Sequence, residues 1–175
     1  VKEGKATGLV AEVQTDLEKA FDAVTRSILM DRAKQENYPI ANLGLARQSY
    51  TWPRMLAIGT AVSRKVWPTC GIAAGSATAV AELARMLNRA INRLNAALPS
   101  SITYVHVDDI STTLQADTLE EMADQAYILA EMYIGEFVNK GKLRLAKDKT
   151  FIISASPETA KVVALEAEAL GATIS

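Results

Sequence analysis

The stretch of sequence that decides the fold is ITYVHVDDISTTL, residues 102–114. Residues 102–107 are rich in β-branched and apolar side chains and predict a strand, and residues 110–114 predict the strand that returns beside it. Asp108 and Asp109 stand between the two, so the pattern indicates a β-hairpin that carries two carboxylates at its bend. An Asp-Asp pair between strands is most often a polar turn, and its meaning depends on the rest of the chain.

The elements around this hairpin predict an α+β fold. Residues 8–15 alternate apolar and polar side chains, which predicts a strand that ends at Asp16. Helices are expected over 22–37, 41–50, from Ser76 or Thr78 to about 98, from 118 to 137 and from Pro157 to Gly171, with short strands over 54–66, 143–145 and 150–154. This order favours an antiparallel sheet with helices packed on one face and the carboxylate-bearing hairpin at the sheet edge.

Composition excludes several classes of protein. The chain has 175 residues, of which 49% are hydrophobic and 22% charged, and its net charge is -1. These values exclude general disorder and indicate one ordinary domain over residues 1–175. The single cysteine, Cys70, cannot form a disulfide within the chain. No apolar run is long enough to span a membrane and no secretory signal is present, so we expect an intracellular protein of unspecified compartment.

Charge is distributed unevenly. Residues 108–136 hold eight acids and no Lys or Arg, whereas residues 140–149 hold five bases and one acid. Arg85, Arg89 and Arg93 recur every fourth residue, which places them on one side of a helix. Such a stripe can be a basic binding surface or a solvated helix face.

Three acids are candidate metal ligands because of where they stand. Asp16 ends the first predicted strand, and Asp108 and Asp109 lie at the bend of the hairpin. If these strands are neighbours, the carboxylates meet at one edge of the sheet, where oxygen ligands suit Mg²⁺. Two such ions can activate a hydroxyl and stabilise a leaving oxygen in phosphoryl transfer.

Four segments, in order along the chain, resemble the palm motifs of reverse transcriptases. They are TDLEKAFDAV at 15–24, GIAAGS at 71–76, YVHVDDIS at 104–111 and LRLAKDKTFI at 143–152. The resemblance implies a polymerase palm and assigns Asp16 and Asp108 as the main metal ligands, with Asp109 as the accessory acid. Lys149 matches the lysine of the fourth motif, a candidate proton donor to pyrophosphate; its plain interpretation is an exposed strand-end lysine.

The same resemblance implies four residues that bind substrate. Leu17 would add its backbone carbonyl, and Phe21 would lie under the sugar ring as a steric gate against a 2′-hydroxyl. Phe21 can equally be a core aromatic, and the two interpretations are compatible. Gly75 and Ser76 would lie along the template and the nascent base pair.

The implied function is template-directed nucleotidyl transfer from dNTPs, with an RNA or DNA template-primer as partner. Two Mg²⁺ ions are the expected cofactors, and Mn²⁺ is the alternative ion. The resemblance favours a retrotransposon-type origin and no membrane partner. Because the chain begins just before the first motif, we expect a fragment that lacks complete fingers and thumb and is inactive when isolated.

Departures from the family pattern keep two alternatives open. Ala73 and Ala74 stand where the second motif usually has Pro-Gln, which removes a side chain that would contact the nucleotide. The first alternative is an RNA-dependent RNA polymerase palm, against which Phe21 argues. The second is a degenerate palm that acts as a binding or scaffold module, against which the retention of all three acids argues.

Overall fold

The computed structural model describes residues 8–73, 75–171 and 173–174. Over these residues the elements follow the order β1 (Leu9–Asp16), α1 (Ala20–Ala23), α2 (Arg26–Gln35), α3 (Ile40–Tyr50), β2 (Ala57–Ile58), β3 (Ala61–Val62), α4 (Ala79–Ala97), β4 (Ile102–His106), β5 (Asp109–Ala116), α5 (Leu119–Met132), β6 (Phe151–Ser154), α6 (Pro157–Glu166) and β7 (Thr173–Ile174). A π-helical turn, Tyr133–Lys140, continues α5, and two 3₁₀ turns lie at Lys147–Lys149 and Glu168–Leu170.

Five strands form the main sheet, in the order β4-β5-β1-β6-β7. The first three junctions are antiparallel, and β7 joins β6 in parallel. The α+β class, the antiparallel sheet and the hairpin at its edge are therefore confirmed. The short strand β7 was not predicted, because two residues carry no readable periodicity.

The helices cover one face of the sheet. On β1 the side chains of Ala11, Val13 and Thr15 point to this face and are at most 3% exposed, whereas Glu12 and Gln14 point to the other. The helices α5 and α6 pack against β5, β1 and β6, and α4 packs against α2 and α5. This separation follows from the period-two alternation that predicted the strand.

Helix α5 shows how the sequence sets one of these elements. The Thr118 hydroxyl accepts a hydrogen bond from the Glu121 N–H (3.1 Å), and the Glu121 carboxylate accepts one from the Asp117 N–H (2.9 Å). Both ends of this exchange satisfy N–H groups that a helix start leaves free. The predicted apolar face is confirmed, since its members are at most 1% exposed: Met122, Ala126, Leu129, Tyr133 and Phe137.

Two predicted elements are wrong in detail. The helix expected over 22–37 is two helices, because Val24 is extended (φ -55°, ψ 121°) and its carbonyl accepts the Gly71 N–H at 2.8 Å. The strand expected over 143–145 is reduced to a single bridge between Leu145 and Leu17. In both places a distant loop supplies the backbone partner, which local sequence cannot reveal.

The arginine stripe of α4 is a polar seam between helices. Arg85 pairs with Glu36 at 3.0 Å, and Arg93 pairs with the buried Glu136 at 2.7 Å. Arg89 donates to the Gln35 side chain at 3.3 Å. The stripe is therefore engaged by neighbouring elements and is not a free basic surface. No helix in the described part of the chain is long and apolar enough to cross a membrane.

Candidate active site

The ends of three strands bring the predicted acids to one edge of the sheet. Asp109 at the start of β5 has a direct partner on each side: Asp16 in the β1–β5 ladder and His106 in the β4–β5 ladder. The Leu17 N–H donates to the Asp108 carbonyl at 3.2 Å, which ties the chain after β1 to the hairpin bend. Strand β1 therefore ends beside the bend of the β4–β5 hairpin, and the backbones of the three acids lie next to one another at this edge.

Two clefts open at this edge, one on each side of Asp16. The larger has a volume of about 820 Å³ and is lined by Asp16, Asp108 and the segment 144–149, with Ile134 and Val138 of the π-helical turn as an apolar wall. The smaller has a volume of about 420 Å³ and lies on the open face of the sheet, where it is lined by Asp16, Asp109, His106, Gln14, Ser111, Tyr104, Phe151 and Lys149. The acids are thus divided: Asp108 faces the larger cleft, Asp109 faces the smaller, and Asp16 borders both.

Lys149 lies between the two clefts. Its ammonium donates to Asp16 Oδ2 at 2.5 Å, and its side chain is 62% exposed whereas that of Asp16 is 14% exposed. The hydrogen bond to Asp16 and the negative charges of Asp16, Asp148 and Asp108 raise the pKa of Lys149. Lys149 therefore places a positive charge at the carboxylates, and its role in the fourth motif stays a prediction.

The bend of the hairpin is strained. Val107 has φ 61°, a left-handed conformation that β-branched side chains rarely adopt. Such strain persists only where the surroundings impose it, and it occurs preferentially at functional sites. Asp108 and Asp109, which follow this bend, line different clefts.

The donor set at the edge suits a hard cation. Asp16 and Asp108 line one cleft, and one or two carboxylates with substrate phosphates are what Mg²⁺ requires. Across residues 8–73, 75–171 and 173–174, no three His, Cys, Asp or Glu side chains converge closely enough to form a metal cluster. Asp16, Asp108 and Asp109 therefore form no such cluster in the described residues, and their binding of a cation stays a prediction.

Leu17 and Phe21 lie where the chain leaves β1. Leu17 lines the larger cleft, although the residue is only 1% exposed and its side chain belongs to the core. Phe21 is half-buried against the same core, and its carbonyl accepts the Ile72 N–H at 2.8 Å. Its ring lines neither cleft, so its steric role stays a prediction.

The second motif is a loop attached to α1. The Gly71 N–H donates to Val24, and a side chain at Gly71 would lie 2.8 Å from the Asp22 carbonyl oxygen. Gly75 and Ser76 are exposed just before α4 and border neither cleft; Ala74 lies outside the described residues. Thr78, the residue before α4, forms no capping bond with its side chain, and Ser76 only approaches it at 3.5 Å.

Arg26 is an organising residue that the sequence did not reveal. Its guanidinium donates to four carbonyls, those of Gly71 (2.8 Å), Cys70 (2.8 Å), Pro68 (2.8 Å) and Tyr50 (3.1 Å). It also lies 5.0 Å above the Tyr50 ring. An arginine in the first turn of a helix gives no sign of carbonyl partners more than 20 residues away.

The lining of the smaller cleft was also missed. Tyr104, Ser111, Gln14 and Phe151 form one row across β4, β5, β1 and β6, next to the row of His106, Asp109 and Asp16. The alternation of each strand places these side chains on the open face. Strand order was the missing information, since the sequence does not show that β1 lies between β5 and β6.

Comparison with known proteins places the fold. No protein-family model and no curated protein matches the chain. Among solved structures, the chain is similar to apo telomerase from Candida tropicalis truncated from its C-terminal domain, with a TM-score of 0.52 and 11% identity. The match covers 85% of this chain and 31% of the telomerase chain, so the protein spans less than a third of that length. At this identity the likeness establishes the fold alone, which is a palm-like α+β fold with an antiparallel sheet.

Proposed function

We propose that this chain is the palm core of a reverse transcriptase-like polymerase, which transfers nucleotides from dNTPs to a primer on an RNA or DNA template. The observation that carries the proposal is the register of the sheet. Asp16 and Asp109 are direct partners at the end of β1 and β5, and Asp108 lies at the adjoining bend. The telomerase likeness supports the same conclusion, because telomerase is a polymerase related to reverse transcriptases.

The residues of the two clefts divide the work of such a reaction. Asp16 and Asp108 would bind the cations, and Asp109 would add negative charge from the open face. The smaller cleft would receive the primer end, where the exposed rings of Tyr104 and Phe151 can contact bases. In the larger cleft Lys149 would donate a proton or a hydrogen bond to the leaving pyrophosphate.

Magnesium ions bound there would activate the primer 3′-hydroxyl and neutralise charge on the phosphate. The protein's own contribution is then mainly position and electrostatics. The strained bend fixes Asp108, and the hydrogen bond from Leu17 fixes that bend to β1. For the ions to bind Asp16, the Lys149 ammonium has to leave its carboxylate.

Phe21 favours DNA synthesis over RNA synthesis in this proposal. The resemblance implies that a ring at this position excludes a 2′-hydroxyl, whereas RNA polymerases favour a smaller or polar group there. An RNA-dependent RNA polymerase palm is the nearest alternative. Phe21→Ala in the active polymerase would lower discrimination against ribonucleotides, and unchanged discrimination would leave Phe21 as a core residue.

A second candidate is a non-catalytic palm that acts as a binding module. The division of the acids between two clefts favours it, as does the hydrogen bond from Lys149 to the Asp16 carboxylate. It differs from the first proposal in one measurable property, because a binding module has no need of divalent ions at the hairpin.

The deciding experiment is a Mn²⁺ titration followed by electron paramagnetic resonance, in the presence and absence of dNTP and primer-template. We expect binding that strengthens with substrate and is lost in Asp16→Asn and Asp108→Asn. The matched control is Asp124→Asn, on the exposed side of α5. Binding that survives both site substitutions, or no binding with substrate present, would contradict the polymerase proposal.

Primer extension then tests the chemistry. The isolated chain is expected to bind metal and to extend a primer poorly, since alignment of primer and triphosphate is worth up to about 7–11 kcal/mol and needs contacts on both. Extension by the wild type and not by Asp108→Ala would show that the palm core alone provides that alignment. Extension by both would assign the activity to a contaminant.

A further inference from the structure

Residues 51–70 form an arm that projects from the molecule. The strands β2 and β3 make its tip, and a bridge between Arg54 and Val66 closes its base. Apart from Pro53 and Pro68 every residue of the arm is exposed, and the buried core includes none of them. Both ends of the arm are nevertheless fixed, because Arg26 binds the carbonyls of Tyr50 and Pro68.

The arm concentrates exposed apolar surface. Of the twenty large apolar side chains exposed among the described residues, seven lie here: Trp52, Met55, Leu56, Ile58, Val62, Val66 and Trp67. Both tryptophans of the chain are among them, 61% and 63% exposed. An apolar patch of this kind on a projecting hairpin marks an interaction surface.

The charge of the arm identifies the kind of partner. Residues 37–81 contain no Asp or Glu, and the bases of the arm are Arg54, Arg64 and Lys65. Within the part of the chain that the structure describes, none of these three forms an ion pair. The net charge of the whole chain is only -1, so this local excess of positive charge is a property of the arm.

A β-bulge lies near the base of the arm, where the three bases are. The Leu56 carbonyl accepts the Ser63 N–H, and farther down the arm Arg54 pairs with Val66. On the strand between these pairs Met55 alone therefore opposes two residues, Arg64 and Lys65. Bulges of this kind redirect side chains at the edge of a sheet. The three bases therefore lie at the base of the arm, in sequence next to Trp52 and Trp67.

We propose that this arm is a binding site for single-stranded nucleic acid, with the tryptophans stacking on bases and Arg54, Arg64 and Lys65 contacting phosphates. Aromatic rings interleaved with bases are the features that sequence-tolerant single-strand binding requires. The arm is less suited to insertion into a membrane. Arg54 lies on the same face as its cross-strand partner Val66, so that face has no continuous apolar surface. The inference does not depend on the metal site, and the arm borders neither of its clefts.

Tryptophan fluorescence, excited at a wavelength where tyrosine does not absorb, reports on the arm alone, since the arm contains both tryptophans of the chain. We expect an unpaired oligonucleotide of roughly 12 nucleotides to quench this fluorescence and a blunt duplex of the same sequence to do so weakly. Trp67→Ala should weaken binding, measured by anisotropy of the labelled strand, about tenfold. In a plot of the logarithm of the binding constant against the logarithm of the salt concentration, the double variant Arg64→Gln, Lys65→Gln should have a slope that is shallower by about 1.4.

Matched controls separate this site from other surfaces. Tyr127→Ala removes an exposed ring on α5, and the double variant Lys34→Gln, Lys161→Gln removes two exposed charges elsewhere; both should bind as the wild type does. Asp108→Asn should bind no more weakly, which distinguishes this inference from the polymerase proposal. Binding that is equal in the arm variants, or tryptophan signals that respond to anionic vesicles or polyglutamate and not to the oligonucleotide, would overturn it.

Discussion

At the scale of single residues, the contact between Lys149 and Asp16 decides how open the site is to a cation. A protein ammonium and a divalent ion compete for the same carboxylate, because Asp16 Oδ2 accepts the lysine at 2.5 Å. We predict that Lys149→Gln binds Mn²⁺ several-fold more tightly than the wild type, since the ion no longer displaces a charged partner. Titration calorimetry measures the change directly.

The control for this prediction is Lys147→Gln. Lys147 lines the same larger cleft, but Lys149 is the lysine that bonds to Asp16. A loss of general positive charge would tighten Mn²⁺ binding equally in both variants. Equal effects, or weaker binding in Lys149→Gln, would show that the lysine does not compete for the carboxylate.

Glu136 makes a second residue-scale prediction, on stability against pH. Burial raises the pKa of Glu136, but hydrogen bonds from Lys140 and Arg93 outweigh it and hold the pKa below its ordinary value of 4.5. A carboxyl whose pKa is lowered by folding stabilises the protein above its unfolded pKa and loses this effect as the pH falls through the folded pKa. The contribution of Glu136 is therefore complete at neutral pH, begins to fall near pH 4.5 and is lost only when the pH has passed through the lower pKa of the folded state.

We expect Glu136→Gln to lower the free energy of unfolding at neutral pH by about 1–3 kcal/mol, since two charged donors lose their acceptor. The difference from the wild type should shrink as the solution is acidified. Urea unfolding followed by circular dichroism over this pH range provides the measurement. Glu131→Gln, exposed on α5, is the matched control, and a constant difference at every pH would contradict the assignment.

At the scale of elements, the junction between the second-motif loop and α1 depends on one glycine. Gly71 has φ 82°, and a Cβ there would approach the Asp22 carbonyl oxygen to 2.8 Å. We predict that Gly71→Ala lowers the free energy of unfolding by about 1–3 kcal/mol, because backbone on both sides has to shift. Gly44 inside α3 has no atom within 4 Å of such a Cβ, so Gly44→Ala should instead raise stability by about 0.5–1 kcal/mol.

Urea midpoints of the two alanine variants test this pair together. Opposite signs are expected, because the substitutions are chemically identical and differ only in surroundings. A neutral Gly71→Ala would mean that the loop is free to move away from α1.

Elements with a strong local signal were predictable from the sequence. Thr118 with Glu121 starts α5, Ser156 before Pro157 starts α6, and the acid pair marks the hairpin. Contacts between distant segments were not. The break in the helix expected over 22–37 and three of the four carbonyls bound by Arg26 belong to contacts with the loop at 68–71, and neither segment shows this by itself.

The candidate site, too, was predictable from the sequence only in part. That Asp16 and the hairpin acids lie at one edge follows from strand ends and the motif order. Their separation into two clefts accompanies the positive φ of Val107, and Lys149 borders both clefts. These are tertiary properties, and a valine before an acid pair does not disclose them. The resemblance to reverse transcriptases named the residues, whereas the strand register placed them.

At the scale of the whole molecule, the protein combines a packed palm-like core with an arm that contributes no buried side chain to it. The core includes Tyr50 and Ile72, which lie on either side of the arm, and Arg26 holds both of the arm's ends. Stability should therefore reside in the core and in the attachment of the arm, and the arm itself should be free to evolve with its partner.

This division predicts that the arm can be shortened without loss of the fold. Arg54 and Val66 exchange two backbone hydrogen bonds, each 2.8 Å, which is the pair that a two-residue hairpin turn joins. Replacing residues 55–65 by Asn-Gly should change the free energy of unfolding by no more than about 0.5 kcal/mol, because no core contact is removed. The same variant should lose the single-strand binding proposed for the arm. Arg26→Met, which removes the attachment and leaves the arm intact, should by contrast cost about 2–3 kcal/mol. Urea unfolding of both variants checks the prediction, and a shortened chain that unfolds as readily as Arg26→Met would show that the arm belongs to the folded core.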